Sequence, residues 1–377
     1  MNRTFAFINA IRPPHWGGLE NWMVNCARML AERGHRTLII GNPNSIFLKR
    51  AEALGVETRE TTFHGDFDPR TISQIRRLFR QEEIDLLCVN MNKDLRLGGI
   101  AARLTSSGIP IIARKGMVWL KNNIRFRITY NALVDGIIVP SESLKGQLQE
   151  HRWLKNEITV IPVGLDPEEF RPDHAEYRKW ILSRHDLPED AFIVGTASRL
   201  AEHKGHQDLL PAMARIFAEY PNARLVMVGT GVDKEMIEGI ADKHGIRDKI
   251  TFVGYVGERE KIIKYMGGYD LFVLPSHKEP FGQVLIEAMS LERPIVACGV
   301  DGIPGVVADG QTADLVPPHS PEDLYKAIKG LIEDSQRRDR YGKNGRSRVM
   351  AQFTMDRMID SVEQYFMHKI EEKRANS

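Results

Sequence analysis

Two glutamates in the segment SHKEPFGQVLIEAMS, residues 276–290, could bind hydroxyl groups beside an anion. Glu279 precedes a Pro-Phe-Gly turn, and Glu287 lies on the apolar helix predicted to follow it. Gly282 lets a ligand approach the backbone, and the free N–H groups of a helix N-terminus favour an anion. A carboxylate accepts two hydrogen bonds, so Glu287 could bind a vicinal diol such as a ribose. The alternative is that Glu279 is a loop charge and Glu287 a solvated position, although its apolar neighbours make an unpaired carboxylate costly there.

Two cations share the loop after another predicted strand. Arg199 and Lys204 lie in RLAEHKGH, directly after FIVGTAS at 192–198. The planar fork of an arginine and the compact charge of a lysine suit a diphosphate, but both residues could also be ordinary surface cations. Gly229, in the GTG that follows a third strand, is a weaker candidate because the third glycine of the dinucleotide fingerprint is missing.

Predicted strands and helices alternate along the chain and would bring these loops to one edge of a sheet. The predicted strands are 4–11, 36–42, 85–90, 109–114, 136–141, 192–198, 223–229, 250–254, 270–276 and 294–299. Such alternation predicts an α/β protein with parallel sheets and ligands at the carboxyl ends of the strands. We predict a first domain over 1–163 and a second over 164–355. The last helix, 356–377, is expected to pack on the first domain.

Composition and charge narrow the class of protein. With 42% hydrophobic and 27% charged residues, no apolar run of eighteen and no signal-peptide core, the sequence predicts a globular cytoplasmic protein without a membrane span. Three scattered cysteines indicate reduced thiols. Residues 1–165 carry 23 Lys and Arg against 15 Asp and Glu, whereas the remainder carries 29 against 35. The basic half indicates an anionic partner, or else a solvated basic face.

The segment RKGMVWLKNNIRFRITY, residues 114–130, mixes five cations with Trp119, Phe126 and Tyr130. Basic residues interleaved with aromatic ones suit an anionic membrane interface. They also suit single-stranded nucleic acid, for which no further motif is present, and a plain basic helix flank remains an alternative.

Taken together, these segments resemble the retaining GT-B glycosyltransferases of family 4, of the type that builds lipopolysaccharide core and other cell-envelope glycans. EPFGQVLIE matches the Glu-x7-Glu motif of that family. Further similar segments are PHWGGLENWMVNCARMLAERGHRT, VIPVGLDPEEF, SRLAEHKGH and ADGQTADLVPPHSPEDL. The resemblance implies two Rossmann-like, doubly wound domains with parallel sheets facing across a cleft that holds a nucleotide-sugar. The first domain would bind the acceptor and the second the donor.

The same resemblance implies roles for individual residues. Arg199 and Lys204 would hold the diphosphate, Glu287 the ribose and Glu279 the transferred sugar; Arg199, Lys204 and Glu279 would thus be catalytic. The donor-binding set is Gly17, Gly18, Arg199, Lys204, Gly229, Tyr255, Glu279, Phe281, Gly282, Gln283, Val284 and Glu287. Side-chain cations and amides would stabilise the departing nucleotide, so no cofactor or bound metal is expected, and a UDP-sugar is the favoured donor.

The acceptor side departs from the family pattern. A histidine is common after the fourth strand of the first domain, but this chain has ARKGMVW there. We expect the base to be Asp94. The expected acceptor-binding residues are His15, Asn92, Lys93, Arg114 and Lys115. The predicted acceptor is a phosphorylated glycolipid or glycan at the inner face of the cytoplasmic membrane, with no nucleic-acid partner. A transferase that makes a small soluble glycoside, or a non-catalytic sugar- or nucleic-acid-binding protein on the same fold, are the alternatives.

The DFD at 66–68 resembles the metal-binding Asp-x-Asp of the other main glycosyltransferase fold. Because Pro69 and a helix follow it, Asp68 is predicted to be an N-cap with proline at the first helical position. The histidines of the chain show no metal-ligand spacing, so the sequence gives no sign of a metal site.

Overall fold

The computed structural model describes residues 2–12, 17–105, 108–118 and 120–375. The chain divides into two units, Met1–Gly164 together with Asp356–Ser377, and Leu165–Met355. Each unit has its own parallel sheet and its own buried apolar core.

The first unit is built on a seven-stranded sheet. Its strands are β1 (Thr4–Asn9), β2 (Arg36–Gly41), β3 (Glu57–Glu60), β4 (Leu86–Val89), β5 (Ile111–Arg114), β6 (Gly136–Val139) and β7 (Ile158–Val160). They pair in parallel in the order β3-β2-β1-β4-β5-β6-β7. The connecting helices are α1 (Gly18–Glu32), α2 (Ile46–Ala53), α3 (Pro69–Gln81), α4 (Asn92–Arg103), α5 (Ile124–Ile128) and α6 (Glu142–Gln149).

The second unit repeats this plan with six parallel strands. Its strands are β8 (Phe192–Ala197), β9 (Ala223–Val228), β10 (Ile250–Gly254), β11 (Leu271–Leu274), β12 (Ile295–Cys298) and β13 (Ala313–Val316), in the order β10-β9-β8-β11-β12-β13. Its helices are α7 (His174–Arg184), α8 (His206–Glu219), α9 (Lys234–Lys243), α10 (Arg259–Gly268), α11 (Gln283–Ser290), α12 (Ile303–Val306), α13 (Pro321–Glu333) and α14 (Ser335–Gln352).

The last helix, α15 (Met355–Ala375), packs on the first unit. The ring of Phe366 lies 5.4 Å from that of Phe5 and 6.3 Å from that of Phe7, measured between centroids. Lys369, with only 4% of its side chain exposed, pairs at 2.6 Å with Glu157, the residue directly before β7. An apolar face and an ion pair therefore attach the C-terminal helix to β1 and β7.

The central strands of both sheets are apolar on both faces because helices cover them. Phe5, Phe7 and Ile8 on β1 are fully buried, as are Val273 and Leu274 on β11. The prediction of an α/β fold with two Rossmann-like domains and parallel sheets is confirmed.

Several local predictions can be compared with the structure. Asp68 caps α3 as predicted, accepting a hydrogen bond from the Thr71 N–H at 2.7 Å. The three cysteines are free and buried. The sequence predicts a helix over 95–106, and that start was wrong by three residues, because α4 starts at Asn92 and so holds Asp94 in its first turn. Within the described ranges, no helix is both long and apolar enough to cross a membrane.

Candidate active site

The loops that follow β8 and β11 lie side by side because these strands are neighbours in the second sheet. The N–H groups of His277 and Lys278 both donate to the carbonyl of His203, at 2.9 and 3.4 Å. Gly205 has φ 70°, and a Cβ there would lie 1.8 Å from the Pro275 carbonyl oxygen. Only glycine fits this crossing of the two loops, which brings their side chains together.

Lys204 and Glu279, which the sequence placed on these loops, form an ion pair. The Lys204 Nζ donates to Glu279 Oε2 at 2.6 Å, and the two side chains are only 13% and 14% exposed. The Glu279 backbone is held as well, because its N–H donates to Asp301 Oδ2 at 2.9 Å and its carbonyl accepts from the Gly302 N–H at 3.0 Å. A cation and a carboxylate are thus fixed next to each other at the carboxyl edge of the sheet.

Arg199, on the same loop as Lys204, is exposed. Its guanidinium makes no hydrogen bond or ion pair to any residue that the structure describes. The backbone around it is fixed, because the Ser198 N–H donates to Val228 and the Leu200 N–H to Thr230, at 3.0 and 3.1 Å. The loop therefore presents a positive charge that is available to an anion.

The N-terminus of α11 lies directly after Glu279 along the chain. Gly282 is its N-cap with φ 86°, and no side chain caps the helix. The N–H groups of Gln283 and Val284, in the first turn, therefore lack intrahelical acceptors and carry the positive end of the helix dipole. Phe281 is buried and packs edge-on against Phe353 at 6.3 Å between centroids, which holds the turn in place.

Glu287 lies one turn further along α11 with 14% of its side chain exposed. Its contacts are weak: Gln283 Nε2 lies 3.5 Å and Arg259 Nη1 4.0 Å from Oε1. Burial raises the pKa of Glu287 to about 7, although the Arg259 charge opposes the shift. A buried carboxyl group with spare hydrogen-bonding capacity suits the hydroxyls of a ligand.

Two other residues of the predicted donor set have different surroundings. Gly229 has φ 135°, and a Cβ there would lie 1.9 Å from the Ser198 carbonyl oxygen, so packing alone requires glycine. Its N–H already donates to the Gly254 carbonyl at 2.9 Å. Tyr255, which follows β10, is 81% exposed.

Sequence reasoning did not single out Asp301, which holds the Glu279 backbone, and it gave His206 no defined role. His206 is buried, its Nε2 lies 3.0 Å from Ser198 Oγ, and burial lowers its pKa to about 4. It is therefore a neutral support of the Arg199 loop. No sequence pattern identifies Asp301, because its partner is 22 residues away.

In the first unit, Gly17 and Gly18 form the start of α1. Gly17 is the N-cap, in extended conformation, and its carbonyl accepts from the Asn21 N–H at 3.0 Å. Their position at a helix N-terminus is compatible with the expected contact to a phosphate. His15, expected to bind the acceptor, lies outside the described residues.

A buried polar cluster occupies the carboxyl edge of the first sheet. Asp94 is fully buried, and neither carboxylate oxygen makes a hydrogen bond of normal geometry within the described residues. Burial raises its pKa to about 7, opposed by the Ala10 N–H and by the Lys93 and Lys115 charges. The expected base is therefore a carboxyl group that titrates near neutral pH.

Lys115 is the cation of this cluster. Its Nζ donates to the Asn90 carbonyl and to Asn92 Oδ1, both at 3.0 Å, and Asn92 Oδ1 also accepts from the Tyr130 hydroxyl at 2.7 Å. Burial lowers the pKa of Lys115 to about 7. Asn92 and Lys115, both predicted to bind the acceptor, thus contact each other.

Lys93 and Arg114, the other predicted acceptor-binding residues, are engaged within the unit. Lys93 Nζ donates to the His64 carbonyl at 2.6 Å. Arg114 is buried over the ring of Trp22, at 5.1 Å from its centroid, and burial lowers its pKa to about 10. Both cations support the fold around the polar cluster.

Two members of the polar cluster were missed. Asn9 Nδ2 donates to Glu20 Oε1 at 2.9 Å, and both side chains are buried. The available signals were an asparagine that ends an apolar strand and a glutamate in the first turn of an amphipathic helix.

The basic segment 114–130 is only partly a surface. Arg114, Lys115 and Tyr130 are buried, and Trp119 lies outside the described residues. Its exposed part, called here the α5 surface, combines cations with apolar side chains. It consists of Lys121, Ile124, Arg125, Arg127 and Ile128, with Ile124 71% and Ile128 59% exposed.

Comparison with known families matches both units. The family model described as Glycosyl transferases group 1 matches residues 179–348, and the one described as Glycosyltransferase Family 4 matches residues 16–169. Together they match most of the chain. The chain therefore belongs to the group 1, family-4-like glycosyltransferases with the GT-B fold.

Individual relatives agree with this assignment. The D-inositol 3-phosphate glycosyltransferase of Stackebrandtia nassauensis is 33% identical over 217 residues, 55% of this chain, and the chain spans only 48% of that relative. The lipopolysaccharide core biosynthesis glycosyltransferase LpsE of Rhizobium meliloti is 24% identical over 94% of this chain and 96% of its own. Anabaena Alr3699/HepE, solved in complex with UDP and also with UDP-glucose, shares the fold. The UDP complex gives a TM-score of 0.84 at 20% identity, over 97% of this chain and 100% of its own.

Proposed function

We propose that the chain transfers a sugar from a nucleotide-sugar, a UDP-sugar being the first candidate, to a cell-envelope glycan or glycolipid such as a lipopolysaccharide-core intermediate. Family membership supports the reaction class. LpsE, similar over almost its whole length, supports the acceptor class, and HepE, with the same fold, binds UDP and UDP-glucose. The observation that carries the proposal is the Lys204–Glu279 pair at the N-terminus of α11, on a loop that also presents Arg199, whose guanidinium has no partner among the described residues.

The proposed chemistry at this edge is stabilisation of a leaving group. When the bond from the anomeric carbon to the diphosphate breaks, negative charge develops on the departing oxygen. Fixed cations and amide N–H groups stabilise that charge more in the transition state than in the ground state. Arg199 and Lys204 would therefore take the part that a divalent ion has elsewhere, so transfer needs no bound metal.

Glu279 has two tasks in this proposal. Before the donor binds, its carboxylate holds the Lys204 ammonium at 2.6 Å. When the diphosphate shares Lys204, the carboxylate can accept hydrogen bonds from the hydroxyls of the transferred sugar. Glu287 would bind the ribose in the same way. Retention of anomeric configuration, by attack on the face from which the diphosphate departs, is the outcome that the family resemblance implies.

On the acceptor side, we propose Asp94 as the base. Its pKa of about 7 suits proton abstraction near neutral pH. Because Asp94 is fully buried, an acceptor hydroxyl reaches it only after neighbouring side chains such as Lys115 move.

Asp94→Asn should abolish most turnover in a sugar-transfer assay while donor affinity is kept. Normal turnover in the folded variant would exclude the role of Asp94 as the base.

The acceptor is proposed to be presented at the inner face of the cytoplasmic membrane, with the α5 surface towards anionic lipid. Three cations and two exposed isoleucines in one short segment suit that interface. A small phosphorylated polyol is the second candidate acceptor, because the inositol-phosphate relative is 33% identical. Sedimentation with anionic liposomes favours the first candidate, and full activity on a soluble acceptor without lipid favours the second.

The test starts with donor binding. UDP-, GDP- and ADP-sugars are compared for their effect on the melting temperature, because a ligand of the folded state raises it. With the best donor, nucleotide release is measured in the presence of EDTA. Each charge-assisted hydrogen bond contributes about 1.5–3 kcal/mol, so Lys204→Ala should lower turnover by about 10- to 100-fold.

The matched control is Lys278→Ala, which removes an exposed cation from the adjoining loop and should leave turnover unchanged. Glu287→Ala should weaken binding of every nucleotide in the panel. The proposal fails if no nucleotide-sugar stabilises the protein, or if Lys204→Ala keeps both donor affinity and turnover.

A further inference from the structure

A second group of side chains lies at the carboxyl edge of the second sheet and has no part in the proposed donor site. Asp208 lies in the first turn of α8, His277 follows β11, and His319 lies between β13 and α13. The three residues follow three different strands of one sheet, β8, β11 and β13, of which β8 and β11 are neighbours.

The ligand atoms of these three residues lie close together. His277 Nε2 is 2.5 Å and His319 Nδ1 is 3.9 Å from Asp208 Oδ2, and all three candidate atoms lie within 4.8 Å of one another. The two imidazole rings have their centroids 3.7 Å apart. Two ring nitrogens and one carboxylate oxygen therefore converge on one point.

We propose that Asp208, His277 and His319 bind a divalent transition-metal ion of the Zn²⁺ type. A donor set of two imidazole nitrogens and one carboxylate oxygen favours Zn²⁺, Co²⁺ and Ni²⁺ over Mg²⁺ and Ca²⁺. Three protein ligands leave a position for water. No motif indicates this site, because its ligands lie 69 and 42 positions apart, far from any metal-binding spacing.

The three ligand atoms would need to move only slightly to reach the distances of a tetrahedral metal site. Metal–ligand bonds of about 2.0–2.2 Å place the ligand atoms of a tetrahedral site about 3.4 Å apart. The ion would replace the contact between His277 and Asp208, opening it by about 1 Å, and would draw His319 inward by about 0.5 Å. The His319 side chain is 68% exposed and can make that movement, whereas His277 is held by its backbone bond to His203.

The metal would connect α8 to the two loops that follow β11 and β13. None of its ligands belongs to the donor set, although His277 lies two residues before Glu279. The site therefore stands independently of the proposed transfer reaction, and its readout is metal binding itself. The competing interpretation is a hydrogen-bonded aspartate–histidine pair with a second imidazole packed on it, which binds no ion in stoichiometric amount.

The experiment uses the full chain without an affinity tag. CoCl₂ is titrated in and the visible absorption of bound Co²⁺ is recorded, followed by displacement with ZnCl₂ and by competition against a chromophoric chelator. We expect one equivalent per chain.

Three variants locate the site. His319→Asn removes an exposed ligand and keeps a residue that tolerates the observed φ of 59°. His277→Ala removes the second imidazole, and His244→Ala, an exposed histidine on the same unit, is the matched control. Affinity should fall by at least about 10-fold in the first two variants and stay unchanged in the control.

Two results would overturn the proposal. One is the absence of stoichiometric Co²⁺ or Zn²⁺ binding by the unmodified chain. The other is unchanged affinity in both His319→Asn and His277→Ala. Circular dichroism of each variant shows whether it is folded, and His319→Asn keeps the test decisive if His277→Ala does not fold.

Discussion

Two buried carboxyl groups, Glu287 in the second unit and Asp94 in the first, are weaker acids than exposed carboxyl groups. Burial raises the pKa of each to about 7, where an exposed carboxyl group titrates near 4. The cause is removal from water without a strong partner, since Arg259 lies 4.0 Å from Glu287 and Asp94 makes no normal hydrogen bond within the described ranges. Such groups lower the stability of the free protein and have hydrogen-bonding capacity for a ligand.

Glu287 should therefore make stability depend on pH in a defined window. Its folded pKa lies above its unfolded value, so the folded state binds the proton more tightly between about pH 4.5 and pH 7, and the free energy of unfolding falls as pH rises through that window. We expect Glu287→Gln to remove the Glu287 contribution to this fall, leaving that of Asp94, and to be more stable than the unmodified chain above pH 7, by up to about 3 kcal/mol.

Urea unfolding across this pH range measures the effect. Glu235→Gln, which changes an exposed glutamate on α9, should follow the unmodified chain at every pH. Parallel curves for Glu287→Gln and the unmodified chain would show that Glu287 does not titrate near pH 7.

At the scale of single elements, the turn before α11 depends on one glycine. Gly282 has φ 86°, and a Cβ there would lie 2.9 Å from Leu285 Cδ1. Gly282→Ala should therefore destabilise the second unit by about 1–2 kcal/mol and tilt the first N–H groups of α11, which weakens nucleotide binding. Chemical unfolding and nucleotide titration provide the two measurements.

Gly310→Ala is the matched control for Gly282→Ala. Gly310 also has positive φ, 68°, but open space surrounds the position of a Cβ. It should lose comparable stability through backbone strain and keep nucleotide affinity. Equal losses of affinity in both variants would mean that the α11 turn has no special part in binding.

Most of the strands that the sequence predicted are buried on both faces, whereas the strands that it did not predict lie at the sheet edges. β1 and β11 are apolar on both faces, so their hydrophobic runs were visible. β3 reads ETRE and β13 reads ADLV, and both lie at the edge of their sheet, where polar residues are tolerated, so neither shows an apolar run. The three-residue error at α4 arose because Met91 caps that helix without a side-chain hydrogen bond.

Some residues of the candidate site could be predicted from the sequence, whereas the contacts between distant segments could not. Arg199, Lys204 and Glu279 were readable because each lies in a recognisable segment at a strand end. Contacts between distant segments were not readable: the bond from Glu279 to Asp301 and the cluster of Asp208, His277 and His319 exist only because the sheet order brings separate loops together. The burial that shifts the pKa of Asp94 is likewise a property of the folded unit.

At the scale of the whole molecule, the first unit depends on the last helix. Phe366 on α15 is fully buried against Phe5 and Phe7 of β1. Phe366→Ala would leave a cavity under the first sheet, and removal of a buried phenylalanine costs about 3–5 kcal/mol. We expect a matching loss of stability in guanidinium unfolding followed by circular dichroism.

Gln364→Ala, on the exposed face of the same helix, is the control and should change stability by less than about 0.5 kcal/mol. If Phe366→Ala unfolds at the same denaturant concentration as Gln364→Ala, α15 does not contribute to the stability of the first unit.

The attachment of α15 to β1 also orders events during synthesis. Residues up to Gly164 leave the ribosome before Leu165–Met355, yet the helix that covers Phe5 and Phe7 is translated only after both. Leu165–Met355 can complete its fold while translation continues, whereas the earliest-made segment waits with an apolar surface open to chaperones. A chain truncated before Phe366 would thus lose stability in the unit that contains β1, although every residue up to Gly164 is still present.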